Sequence, residues 1–399
     1  MRSVLLSAIA ALALVSFGCE KKTAPVEPVA KPADPKAPVE APKPAAATDD
    51  IVLGEVGSLT GSEAAFGIST RNGIELALEE ANAAGGVKGK KLKVVVYDDQ
   101  SKPEEAANAT TRLVTQDKVK LLLGEVASSN SLAMAPIAQE NKIPMISPSS
   151  TNPAVTEKGD YIFRVCFIDP FQGFVMAKYA HEDLKFKTVA ILKDVKSAYS
   201  VGLTEVFERK FTEMGGKVAG IESYSKGDTD FRSQLTAIKK LKAEGIYIPG
   251  YYNDVGIIAR QARELGVKAV LMGGDGWDSE KLFELGGEAI EGSFVSNHYS
   301  PEDPSPQVQN FISKYKVKFN GVPDSLAALG YDAANVAIDA MKRAPDLSGP
   351  ALREELAKTK DFPGVAGTIS MNEKRDAVKP AVVLQVKEGK FKYVATVKP

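Results

Sequence analysis

The sequence predicts an α/β protein of two lobes, each a mostly parallel sheet covered by helices. Three observations lead there. Short aliphatic runs alternate with stretches whose apolar residues recur at helical spacing, and repeated βαβ units of that kind demand parallel sheets covered by helices. The alternation runs from Ile51 to Ile146 and then restarts at Thr188. Finally, the 399 residues exceed the ~100 to 200 of a usual domain, which leaves room for two cores.

Taken in order, the chain opens on Arg2, an apolar run from Val4 to Val15, and Ser16-Phe17-Gly18-Cys19. The run is far short of the ~20 residues of a membrane-spanning helix and reads as a secretory signal over residues 1–18. Cys19 after a small residue resembles the acylation site of a bacterial lipoprotein, although Ser16 and Phe17 depart from the usual pattern and leave ordinary signal cleavage as the rival. Residues 20–49 repeat Pro, Ala, Lys, Val and Glu without a helical or strand period, as in Pro35-Lys36-Ala37-Pro38-Val39-Glu40. Such a stretch is an extended spacer, so a tethered domain is expected.

The folded part then reads strand, helix, strand. Ile51 to Leu53 leads to a helix near Ile68 to Ala84, with Ile74, Leu78 and Ala81 on one face and Gly85-Gly86 as its stop. The strand Leu92 to Val96, a helix from Pro103 to about Gln116, the strand Val119 to Leu123, a helix near Asn130 to Glu140 and the strand Ile143 to Ile146 follow. The second run starts with the strand Thr188 to Leu192 and a helix carrying Leu203, Phe207, Phe211 and Met214. Strands near Lys217 to Ile221, Ile246 to Pro249 and Lys268 to Met272 then alternate with helices whose apolar faces include Leu235, Ile238 and Leu241, then Ile258, Ala262 and Leu265.

Composition narrows the function. With 50 Lys+Arg against 51 Asp+Glu, nothing in the net charge favours nucleic acid; neutral molecules or zwitterions fit better. Two His and two Cys in the whole chain leave common metal and Cys-His catalytic sets short of parts. No G-x-S-x-G elbow occurs, and no G-x-G-x-x-G opens a helix. The run Ala84 to Lys91 imitates a P-loop but lacks its first Gly and its Ser/Thr. No catalytic residue, metal or cofactor is therefore assigned, and a binding protein is expected rather than an enzyme.

In open α/β sheets the ligand lies beyond the carboxyl ends of the strands, so those loops hold the candidates. The first run supplies Ser58 to Gly67, Gly124 to Asn130 and Ser147 to Pro153, rich in hydroxyls at helix starts that suit an anion. The second supplies Tyr199, Tyr251-Tyr252 and Gly273-Gly274-Asp275-Gly276-Trp277, an acid among aromatic rings.

These residues carry a resemblance. Gly61 to Gly67, Glu80-Ala81-Asn82-Ala83-Ala84-Gly85-Gly86-Val87-Lys88-Gly89, Tyr97-Asp98-Asp99, Ser147-Pro148 to Asn152-Pro153, Gly250-Tyr251-Tyr252, Arg260-Gln261-Ala262-Arg263 and Met272 to Gly276 are similar, in order and spacing, to the periplasmic leucine/isoleucine/valine-binding proteins of ABC transporters. The likeness spans nearly all of the chain after Asp50. It implies the type I periplasmic-binding-protein fold, a two-lobed clamp crossed three times, near Asp169-Pro170, Ser300-Pro301 and Lys379-Pro380. The N-terminal lobe would comprise residues 50–169 and 299–379, and the C-terminal lobe residues 170–298 and 380–399.

By the same resemblance, the ligand's carboxylate falls to Ser128 and Thr151, with Val126, Ala127 and Ser149 beside them. The ammonium falls to Asp275 and the Tyr251 carbonyl, with Phe66 and Tyr199 as aromatic walls. Trp277 stands two residues from Asp275 and is read as either pocket wall or surface loop. Asp275 replaces the Glu of the best-known relatives and Phe66 a Tyr, while Ser101 and Ala127 occupy their disulfide positions. Cys166 is then a buried small hydrophobe. Each candidate also has an ordinary reading: Ser128 and Thr151 as cap and turn residues, Asp275 as an Asp-Gly turn, Tyr199 as packing. His181 and His298 have no ligand spacing and are read as structural or solvated.

The implied protein is an extracytoplasmic monomer, anchored to the membrane only through lipid on Cys19, that delivers leucine, isoleucine or valine to an inner-membrane ABC permease. The alternatives are a same-fold protein for amides, urea or aromatic acids, or a sensing subunit of a signalling receptor.

Overall fold

The computed structural model describes residues 50–399; the expected signal segment, Cys19 and the spacer lie outside the described residues. The chain begins with β1 (Ile51–Gly57), α1 (Ala64–Ala83), β2 (Leu92–Asp98), α2 (Pro103–Thr115), β3 (Leu122–Leu123), α3 (Ser128–Glu140), β4 (Met145–Ser147) and β5 (Ile162–Arg164). These strands make one five-stranded, all-parallel sheet in the order β2-β1-β3-β4-β5. Next come α4 (Asp169–Lys178), β6 (Thr188–Asp194), α5 (Ala198–Glu213), β7 (Lys217–Tyr224), α6 (Arg232–Leu241), β8 (Gly245–Tyr247), α7 (Tyr252–Glu264), β9 (Val270–Gly273), α8 (Glu280–Gly286) and β10 (Phe294–Asn297).

The chain then returns to the first lobe with α9 (Pro306–Phe319), α10 (Ser325–Arg343), α11 (Gly349–Ala357), β11 (Phe362–Gly364) and β12 (Gly367–Ile369). Phe311, Leu329, Leu352 and Ile369 share one core with Ile51, Leu53 and Ile74. Finally β13 (Ala381–Lys387) and β14 (Lys390–Val397) complete a seven-stranded sheet ordered β14-β13-β10-β9-β8-β6-β7. Its last two strands are antiparallel. The path between the two sheets thus runs three times, through residues 165–168, 298–305 and 370–380.

Successive residues of a strand face opposite sides, and here both sides are apolar. In β3, Leu122 packs with Met145 and Ile162 on one face, and Leu123 with Ile146 and Phe163 on the other. In β6, Val189 and Ile191 join the core under α4 and α5, whereas Ala190 and Leu192 join the core under α6 and α7. Fully burying each of the Leu, Ile, Val, Met and Phe side chains among these is worth about 1.5–3 kcal/mol. Cys166 is buried and free.

Several boundaries differ from the sequence reading, among them the strand expected from Val119, which begins at Leu122, and two helix starts beside the candidate loops. The helix expected from Ile68 starts at Ala64, because Gly67, read as part of the loop, is a packing glycine. A Cβ there would stand 2.1 Å from the Ser58 carbonyl oxygen. The helix expected from Asn130 starts at Ser128, with Ala127 as N-cap and no side-chain cap bond. Ser128 is therefore a helical residue and not the cap.

Candidate functional site

The loops after β1, β3 and β4 form one wall of the candidate site, and the loops after β6, β8 and β9 the other. On the first wall several hydroxyls are used in building the loops. Ser147 and Ser150 both donate to the Glu125 carbonyl, at 2.7 and 3.0 Å, and Ser131 and Ser150 share a hydrogen bond of 2.7 Å. Ser128 Oγ accepts from the Asn152 N–H at 3.3 Å. The Ser149 and Thr151 hydroxyls are different: both residues are buried, yet neither oxygen has a hydrogen-bond partner. Buried polar groups seldom stay unpaired, which makes these two hydroxyls candidate ligand contacts. The amino end of α3, with its positive dipole end, adjoins them through the Ser128–Asn152 contact.

Glu125 was not singled out from sequence and changes how this wall works. Its carboxyl accepts from the Ser58 N–H at 3.2 Å and from the Ala127 N–H. The Ala127 N–H, expected beside the ligand's carboxylate, is therefore occupied by Glu125. Burial first, then the neighbouring Asp99 and Glu63 charges, hold Glu125 well above the usual carboxylate range.

On the second wall Asp275 opens the turn after β9 and is 7% exposed. Its Oδ1 accepts from the Tyr199 hydroxyl at 2.9 Å, and its Oδ2 lies 2.9 Å from His298 Nε2. Tyr199 in turn accepts from the Gly276 N–H at 3.2 Å and stacks on Tyr251 with ring centroids 5.2 Å apart. The turn needs glycine here, since a Cβ at Gly276 would stand 2.7 Å from the Gly250 carbonyl oxygen and 2.9 Å from the Tyr251 ring. The Tyr251 carbonyl already accepts from the Val255 N–H at 3.1 Å as α7 begins, leaving one lone pair.

Asp169, read only as a crossing residue, belongs to the same space. It is 1% exposed, both carboxylate oxygens are unpartnered, and the Thr151 hydroxyl approaches it without forming a good hydrogen bond. Burial pushes Asp169 up to about 7, against the Thr151 contact and with the charge of Asp275 adding to the rise. Burial likewise pushes Asp275 up to about 7, against the Tyr199 hydrogen bond. Two buried acids brought together, of which Asp169 lacks a well-formed hydrogen bond, are a candidate cation site. Gln172 ties it together, because its Oε1 accepts from the Asp275 N–H at 3.0 Å and the Ser296 hydroxyl at 3.1 Å.

The remaining candidates are placed as follows. Phe66, from α1, meets Tyr251 and Tyr252 edge-on at 5.7 and 4.8 Å and shares an apolar cluster with Val126. Trp277 is fully buried, with its indole N–H donating to the Ile248 carbonyl at 3.0 Å among Leu271 and Leu282. The surface-loop reading of Trp277 is thereby corrected: the short turn after β9 folds the indole back under the sheet. His298, read as structural or solvated, is buried against Asp275.

The two walls touch around the rim. Lys226 Nζ lies 2.7 Å from Glu63 Oε2 and donates to the Ser101 carbonyl at 2.8 Å. Asn152 Nδ2 donates to the Ala198 carbonyl at 2.8 Å, the Ala198 N–H to Ser129 Oγ at 3.1 Å, and the Ala65 N–H to the Tyr252 hydroxyl at 3.2 Å. These contacts hold the two lobes against each other.

Comparison with known proteins fits this geometry. The family model for the periplasmic binding protein matches residues 50–390. A leucine-, isoleucine-, valine-, threonine- and alanine-binding protein of Pseudomonas aeruginosa is 32% identical over 83% of this chain and 88% of its own. The crystal structure of a leucine-binding protein from Thermotoga maritima is 42% identical, with a TM-score of 0.84 over 88% of this chain and 99% of the other. A branched-chain amino acid transporter substrate-binding protein of Streptococcus pneumoniae, in complex with isoleucine, is 35% identical, with a TM-score of 0.83 over 88% and 100%.

Proposed function

Because this chain belongs to the periplasmic binding protein family, among its leucine/isoleucine/valine-binding members, we propose that it binds an apolar L-amino acid between its lobes and delivers it to an ABC permease. The observation that carries this is the pairing of two unlike walls. Unpartnered Ser149 and Thr151 hydroxyls stand with the amino end of α3 on one side, and Asp275 with the unpartnered Asp169 on the other. An α-amino acid presents a carboxylate and an ammonium on the same carbon, which suits such a pair of walls. A neutral amide would leave two buried acids without a cation, a costly arrangement. Phe66, Val126, Tyr251 and Tyr252 supply apolar surface for the side chain.

In this reading Asp275 and Asp169 hold the ammonium, and Thr151, Ser149 and Ser128 hold the carboxylate with the first N–H groups of α3. The segments 165–168, 298–305 and 370–380 act as the hinge, and closure of the lobes presents one continuous surface to the permease. The protein acts without catalysis, as an extracytoplasmic monomer held to the membrane by an acyl chain on Cys19. No helix of the described residues is long and apolar enough to cross a membrane.

Calorimetry tests the reading. Leucine, isoleucine or valine should bind saturably, whereas 4-methylpentanoate, which lacks the amino group, urea and benzoate should not. Both acids titrate near 7 in the ligand-free site, and an ammonium favours their ionised forms, so binding expels protons below that pH. Leucine affinity should therefore rise with pH between roughly 5.5 and 8, and the heat at the acid end should depend on the buffer's ionisation enthalpy. Binding of 4-methylpentanoate as tight as that of leucine overturns the ammonium site.

A further inference from the structure

We propose that His298 is a positioning residue for Asp275, its Nε2–H fixing the carboxylate toward the ligand's ammonium; this rests on the amino-acid reading of the site. His298 directly follows β10, the strand beside β9 that delivers Asp275, and so begins the second passage between lobes. Its side chain is completely buried. Phe167, from the first passage, stacks on the imidazole with centroids 3.6 Å apart and planes 22° from parallel. The Asn297 side-chain oxygen accepts from the His298 N–H at 2.7 Å, and Asn297 Nδ2 donates to Asp278 at 2.8 Å. Backbone and ring are thus both held, and the one polar contact of the ring is Nε2 to Asp275 Oδ2 at 2.9 Å.

The chemistry assigns the tautomer. An ionised carboxylate only accepts, so Nε2 must carry the hydrogen, and Nδ1 is then a bare lone pair. Nδ1 is the ring atom without a partner. The opposite tautomer would bury an unsatisfied N–H and require the proton on Asp275, removing the charge that an ammonium needs. Burial, aided by the Lys379 charge, keeps His298 well below its ordinary value and hence neutral, so it adds no cation to compete with the ligand. With Tyr199 on Oδ1, each carboxylate oxygen has one fixed donor and keeps lone pairs for the ligand.

The chain has two His, so imidazole 15N spectra of the ligand-free protein, taken at pH ~8.5 where Asp275 is ionised, contain two ring systems, with His181 as an internal control. His298 should show the Nε2–H tautomer and should shift on Asp275→Asn while His181 does not. The Nδ1–H tautomer, or a His298 signal indifferent to Asp275→Asn, overturns the proposal without reference to any ligand. In binding, His298→Leu should weaken leucine about tenfold or more, the effect of losing a hydrogen bond to a charged group. His298→Gln, which keeps an N–H near the Nε2 position, should recover most of that loss. In the Asp275→Asn background, His298→Leu should cost little further. Equal losses in both backgrounds mean that His298 only packs the hinge and contradict the positioning role; so does full affinity in His298→Leu.

Discussion

Asp275→Ala is expected to weaken leucine binding by roughly 100-fold or more. Removing one partner of a buried ion pair typically costs ~3–5 kcal/mol, and each ~1.4 kcal/mol is tenfold. Asp169 remains to hold part of the charge, which keeps the loss from being total. Asp275→Asn, which preserves shape, should approach the same loss, because the ligand needs a negative charge and not only an acceptor. The same substitution should act oppositely on the empty protein. An acid raised to about 7 in the folded state stays protonated there while the unfolded chain ionises near ~4. The folded state therefore binds more protons across that window, and stability falls as pH rises from about 4 to about 7. Above that range the wild type carries the full cost of a buried charge, so ligand-free Asp275→Asn should be the more stable of the two at pH ~8. Calorimetry and urea unfolding read the two effects separately. Unchanged leucine affinity in folded Asp275→Ala removes Asp275 from the site.

Arg164→Leu is expected to be the most destabilising single change in the first lobe. Arg164 is completely buried at the end of β5, with Nε 2.7 Å from the Asp376 carboxylate on the third passage between lobes. Its other nitrogens donate to the Ser150 carbonyl, to the Asn152 carbonyl at 2.9 Å and to Thr156 Oγ1 at 3.0 Å. One guanidinium thus clamps the loop that carries Ser149 and Thr151 to the segment that enters β13. Removing it strands a buried carboxylate, at a cost of about 3–5 kcal/mol, seen as a lower urea midpoint with an unchanged slope. Lysine cannot reproduce the planar fork, so Arg164→Lys should lose most of that stability as well. Replacing both partners by apolar residues, Arg164→Met with Asp376→Leu, should recover much of it. The double variant should still bind leucine weakly, since the loop has lost its clamp. A change below ~1 kcal/mol in Arg164→Leu refutes this.

What the sequence made readable follows from what is local. Thr188 to Leu192 is a strand because its residues are β-branched or aliphatic on both faces, and both faces prove to be buried. The hydroxyl loops and the Asp275 turn stood out because strand ends are where ligands collect, and they do face each other. Gly67 misled the start of α1 because its role, close approach to Ser58, is a tertiary contact. Asp169, His298 and Glu125 were missed for the same kind of reason. Asp169, at the start of α4 just after the first passage, and His298, at the start of the second, are far apart in sequence, and only the assembled fold sets them beside Asp275. Glu125 lies between Gly124 and Val126 in sequence, and the rise of its pKa depends on burial near Asp99 and Glu63. A lone acid within an otherwise hydroxyl-rich strand-end loop was the available signal for it.

The most direct measurement is the crystal structure of the protein grown with leucine. The ammonium should stand within hydrogen-bond distance of both the Asp275 and Asp169 carboxylates, and the leucine carboxylate should take the Thr151 and Ser149 hydroxyls that now lack partners. Leucine bound with its carboxylate toward Asp275, or bound outside the space between these walls, would contradict the proposed site.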